Sequence, residues 1–184
     1  GEDEAQRTWD SMKDILDEVG VDVARFVRYH WISTTDFVTK GNLYKSVKAH
    51  TTRSGWSDLL LNLHADAKLL NSLMLGTIPN PNSQPVIEKV NAKLKAIGEL
   101  GVSQCYVLLL SVLRNRELLG FGWEDFLKLV IRIENFNFIY HRICARPSNK
   151  VESFYSNTAC RIHQLAFEDG GSDRESRFRG QIRI

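Results

Sequence analysis

From Gly122 to Arg146 the chain reads GWEDFLKLVIRIENFNFIYHRICAR, and this stretch restricts the possible fold more than any other. Phe126, Leu129, Ile133, Phe136, Tyr140 and Ile143 recur at spacings of three and four, which places them in one stripe along an α-helix. A second row, Leu127, Ile131 and Phe138, widens the stripe until only Glu124, Lys128 and Arg132 remain as a polar edge. A helix of about 25 residues would run about 37 Å. With apolar surface on most sides it needs neighbours on most sides, so the pattern predicts a long buried central helix over residues 122–146.

The same period recurs along the rest of the chain. Ala5, Trp9, Met12, Leu16 and Val19 make an amphipathic helix that Gly20 is placed to end. Asp22 can cap a second helix, whose apolar face is Val23, Phe26, Val27, His30 and Trp31. Asn42 is a candidate cap for a short helix through Val47, and a longer one from Trp56 carries Leu59, Leu63, Ala67, Leu70 and Met74 up to Gly76. The segment TIPNPNSQP, residues 77–85, holds three of the four prolines and interrupts the helices as a loop. Val86, Val90, Leu94 and Ile97 line the next helix, and Ser103 can cap another from Gln104 to Leu119 that is apolar nearly all round. Pro147 ends the stretch that begins at Gly122, and Asn149 with Glu152 reads as a capping box for a last helix bearing Val151, Phe154, Ile162 and Leu165. No β-alternation of useful length is present. The expected fold is all-α, a single domain of about eight helices over residues 1–168, with 169–184 a polar, Arg-rich tail or the start of a following segment.

A chain of 184 residues, 43% hydrophobic, can bury a substantial core, and its formal charge of +2 permits a nucleic-acid partner without indicating one. No apolar run reaches the roughly 18 residues of a transmembrane span, and the acidic start GEDEAQRTWD is unlike a signal peptide. Cys105, Cys144 and Cys160 lie in helix-like apolar stretches and are odd in number, as buried free thiols of a cytoplasmic protein would be. The four tryptophans, on different helices, read as core anchors.

Phosphate-loop, dinucleotide, HExxH and GxSxG motifs do not occur. His141-x-x-Cys144 and Cys160-x-x-His163 have zinc-like spacing, but in an antiparallel hairpin turning near Ser148 the pairs would be offset by about 12 Å. No metal or cofactor is therefore expected. Arg25 and His30 match the loose RxxxxH spacing of helical HEPN ribonucleases, although Phe26 stands where those enzymes usually carry a polar residue. Arg142, Arg146 and Lys150, with Arg161, form a candidate basic cluster. It can serve a nucleic-acid or acidic-partner contact, or simply complement a helix C-terminus.

The segment RIENFNFIYHRICARPSNKVESFYSNTACRI resembles one that recurs in bacterial proteins of the domain of unknown function 262 family, the GmrSD-type restriction and antiphage proteins. Its aromatic run with Phe138 and Tyr140, Arg142, a turn with Asn149, and a further helix with Phe154 carry that resemblance. Trp9, Phe26 and the Tyr29-His30-Trp31 run, and the apolar stretch Gln104 to Leu113, extend it over most of residues 5–168. The resemblance implies a helical fragment of a longer chain, flanked by a nucleotide-dependent ParB/sulfiredoxin-like domain with a DGQQR-type motif and by an HNH-type nuclease. Neither signature occurs here, so no catalytic residue carries over. The expected function is that of a non-catalytic linker or interaction module with the flanking domains, and with DNA, as partners. A stand-alone ribonuclease using Arg25 and His30, and a protein scaffold, are the alternatives.

Overall fold

The computed structural model describes residues 2–52, 55–144 and 149–167, with only the backbone of Glu2, His141, Arg142 and Asn149. Among the described residues there are eight α-helices and no strand. They are α1 (Glu2–Glu18), α2 (Val23–Thr34), α3 (Leu43–His50), α4 (Gly55–Leu75), α5 (Pro85–Glu99), α6 (Tyr106–Asn115), α7 (Trp123–Asn137) and α8 (Asn149–Phe167). A 3-10 turn, Lys40–Asn42, leads into α3, and a π-helical turn, Phe138–Ile143, extends α7.

Local chemistry sets most of the helix ends. Asp22 caps α2 by accepting from the Arg25 amide at 2.9 Å. Pro85 occupies the first turn of α5, where its missing N–H costs nothing. Two expected caps are absent. Asn42 makes no side-chain bond to α3, and α6 starts after Cys105 without a side-chain cap. Ser103 instead uses its carbonyl to accept the Tyr29 hydroxyl at 3.2 Å. At the head of α8, Glu152 accepts Arg28 Nη1 at 2.7 Å, while the Asn149 side chain lies outside the described residues.

The helix at the centre is α6, not the stretch 122–146. Tyr106 through Val112 are all buried, because α6 packs against α8, α4 and α2 at once. Ser111 Oγ donates to the Ala159 carbonyl at 2.8 Å, so α6 and α8 also share a buried hydrogen bond. The remaining helices form an outer layer, α1 against α4 and α7 against α5. On α7 the row Phe126, Leu129, Val130 and Ile133 is buried, but Phe138, Ile139 and Ile143 emerge 49%, 51% and 65% exposed. The stripe is real, yet beyond Asn137 it turns outward, with only Tyr140 half-buried against the core among its described residues. The π turn adds to this by shifting the register of the side chains that follow it.

Other expectations need correcting in the same sense. Cys105 and Cys160 are buried, whereas Cys144 is exposed. Trp31 is a core residue, but Trp56 lies 46% exposed and Trp9 on the surface at 36%.

Gly76 closes α4 at φ 60°, and a Cβ there would stand 2.5 Å from the Asn91 carbonyl oxygen on α5. Gly20 closes α1 at φ 65° with open space around it. Replacing Gly20 by Ala should cost about 1 kcal/mol, the left-handed penalty alone. Gly76→Ala should cost clearly more in chemical denaturation, because α5 must move away from α4. Equal losses would show that the α4–α5 approach is not tight.

Candidate functional site

Three of the four innermost helices contribute to one buried polar centre. Asp66 lies on the core face of α4 between Leu63, Ala67 and Leu70, and is only 3% exposed. A carboxylate in that position must be paired or neutralised. Arg114, at the end of α6, donates Nε to Asp66 Oδ1 at 2.8 Å and Nη2 to Asp66 Oδ2, a bidentate pairing. From α2, His30 Nδ1 meets Asp66 Oδ2 at 2.5 Å. With Asp66 ionised, His30 donates from Nδ1. Arg114 also donates Nη1 to the Ser33 carbonyl at 2.9 Å and Nη2 to Ser33 Oγ at 3.1 Å. Burial alone would raise the Asp66 pKa, but the His30 hydrogen bond and the Arg114 charge outweigh it and hold the carboxyl below its usual range.

The centre lines one wall of a cavity of about 440 Å³ with His163 and Phe167 of α8 on another, and Asn62 and Leu69 of α4 between. His163 Nδ1 is buried with no hydrogen-bond partner among the described residues. Burial first, and then the nearby Arg114 and His30, push its pKa down to about 4, against a smaller opposite pull from Asp66. The ring is thus neutral near pH 7, and it packs against Phe167 at 4.8 Å between centroids.

The structure separates the residues paired by the ribonuclease spacing. Arg25 faces solvent, 3.6 Å from Asp22, and lines a different hollow from that of His30. The zinc-like set is also apart in role. Cys160 directs its thiol at the Thr35 carbonyl, 3.6 Å away, whereas His163 turns into the cavity. Among the described residues no three His, Cys, Asp or Glu groups are placed to share a metal ion. Of the candidate basic cluster, Lys150 is exposed and Arg161 is half-buried with a 3.3 Å bond to Gln164. Eleven residues along α8 put these two about 16 Å apart. The Arg142 side chain and Arg146 lie outside the described residues.

Sequence reasoning singled out His30 but missed Asp66 and Arg114. A signal existed, since each is a charge set directly within or after an apolar run.

No family model matches this chain, and no curated protein or solved structure matches it significantly.

Arg114→Met should destabilise the fold by about 3–5 kcal/mol, since it leaves the buried Asp66 charge uncompensated. Adding Asp66→Leu should recover much of that loss in urea melts. A single-variant loss below about 1 kcal/mol would mean that the pair is hydrated. His163 supplies a second check. Its folded pKa lies below that of the unfolded chain, so the unfolded state binds more protons between about pH 6.5 and 4. Stability should therefore decline as pH falls through that window, and His163→Gln should flatten the decline. An identical profile in the variant would place the His163 ring in water.

Proposed function

We propose that this chain is a non-catalytic helical module of a GmrSD-like DNA-restriction protein of phage defence. In this reading it couples a nucleotide-dependent domain on its N-terminal side to a nuclease on its C-terminal side. The reading begins from the resemblance over residues 5–168. The observation that favours it most is the apolar surface of the π turn that extends α7. Phe138, Ile139 and Ile143 are all at least two-fifths exposed along that turn, and Phe154 of α8 is exposed as well, all within the segment that carries the resemblance. Exposed apolar side chains along one turn suit a surface that a neighbouring domain covers.

The buried polar centre favours a structural role over a catalytic one. Both oxygens of Asp66 are engaged, and Arg114 spends its donors on Asp66 and Ser33. His30 is only 5% exposed, and Arg25 is directed elsewhere, which weighs against the ribonuclease alternative. Among the described residues no helix is long and apolar enough to cross a membrane.

Incubation of the purified chain with nucleoside triphosphates, RNA and DNA should give no turnover above a buffer control. Cleavage lost in His30→Ala, with the circular dichroism spectrum intact, would replace this reading with a nuclease. Sequencing the gene on both sides of the region encoding residues 1–184 tests the other half. A DGQQR-bearing domain upstream is the expected result, and unrelated domains on both sides would remove the family reading.

A further inference from the structure

One stretch of this chain gathers four cations with no carboxylate among them. Between Asp36 and Asp58 the sequence holds Lys40, Lys45, Lys48 and Arg53, with no Asp or Glu. That segment carries +4 in a chain whose formal total is +2, which leaves −2 for all the rest. Most of the segment folds as the 3-10 turn and α3, the least integrated helix of the domain, with Leu43 as its one buried residue. Lys40, Lys45 and Lys48 are all exposed, and none pairs with a carboxylate among the described residues. Cations elsewhere do pair, as in Arg28 with Glu152, Lys93 with Glu134 and Lys128 with Asp125.

An aromatic ring stands among these lysines. Tyr44 is 75% exposed, the most open large apolar side chain described, and Lys48 Nζ lies 5.9 Å from its ring centroid. We propose that the Lys40–Lys48 face of α3 binds single-stranded nucleic acid, with Tyr44 stacking on a base and Lys40, Lys45 and Lys48 contacting phosphates. Two features are needed to hold a single strand without sequence preference, a cationic track and an open π-face, and both are present here. From Lys40 to Lys48 the backbone advances about 12 Å at helical rise, enough for successive phosphates of one strand.

Charge and shape select among anionic partners. An anionic membrane would need an apolar face to insert, but Leu43 is committed to the core and Val47 packs against it. An acidic protein would need a dry apolar centre to its interface, and Tyr44 is the one large apolar group that α3 offers. The inference deepens the proposed role as a module of a DNA-acting protein and rests on it for biological setting, although its charge and ring geometry stand independently.

The test is fluorescence anisotropy of the 184-residue chain with a labelled dT20 strand, a matching duplex, and phosphatidylserine vesicles, over a salt series. The strand should bind tighter than the duplex or the vesicles. Lys45→Gln with Lys48→Gln should weaken binding and lower the magnitude of the log–log salt slope by about 1.4, near 0.7 per lost phosphate contact. Tyr44→Ala should weaken binding at least about five-fold, while Tyr44→Phe should retain it. All these side chains are exposed, so circular dichroism should be unchanged. No binding at low salt, preference for the duplex or vesicles, or variants that bind like the parent would each overturn the proposal. A gel of the same mixtures keeps the two readings distinct. Strand degradation would refute the non-catalytic role and leave the binding result standing, whereas intact but unbound strand would refute only the α3 surface.

Discussion

The interaction on which the rest of the structure depends is the buried pairing of Arg114 with Asp66, joined by His30. Asp66 is sealed among leucines, and an isolated carboxylate there would cost several kcal/mol. Only one arrangement of α2, α4 and α6 brings the guanidinium and the imidazole onto its two oxygens. The pair adds little net stability over apolar side chains of similar size. What it contributes is selection, because sliding α4 or α6 by a turn would strand a charge, and sliding α2 would cost Asp66 its imidazole partner.

Other interior polar groups act on the same logic at smaller scale. Ser111 ties α6 to the Ala159 carbonyl of α8, and Asn137 donates to the Ile133 carbonyl and the Tyr155 hydroxyl. Each fixes one helix against another at a point where apolar packing alone would tolerate a shift. The outer helices obey simpler rules. On α1, α5 and α7 an apolar stripe meets the next layer and charged residues face outward, with ion pairs such as Lys93 with Glu134 spanning neighbours. Lys93 is partly exposed and Glu134 mostly buried, and such a pair adds little net stability over apolar side chains, so the outer layer is held by its stripes.

This division bears on function. The Asp66 centre and the interior Ser111 and Asn137 contacts hold helices in register, and two further features among the described residues are on the surface. One is the exposed apolar run of the π turn, Phe138, Ile139 and Ile143; the other is the basic face of α3 around Tyr44. They differ in chemistry, one suited to a protein neighbour and one to a polyanion, which is what a coupling module would require.

The sequence by itself determined that the chain is all-helical and where most helices begin and end. Spacings of three and four recur from Ala5 to Leu165, Asp22 caps as its position suggests, and Gly20, Gly76 and Gly101 all take positive φ at helix ends. These are local matters, fixed by residues within a turn of one another. Which helix lies at the centre was not legible. An apolar stripe shows that a face seeks cover, not whether a neighbour supplies it, and so the stretch 122–146 looked more buried than α6. Nor could the chain show that Asp66 would meet Arg114, 48 residues away, or that His30 would join them from α2. Such pairings are decided by how the helices pack, because desolvation penalises a charge only once the surrounding core exists.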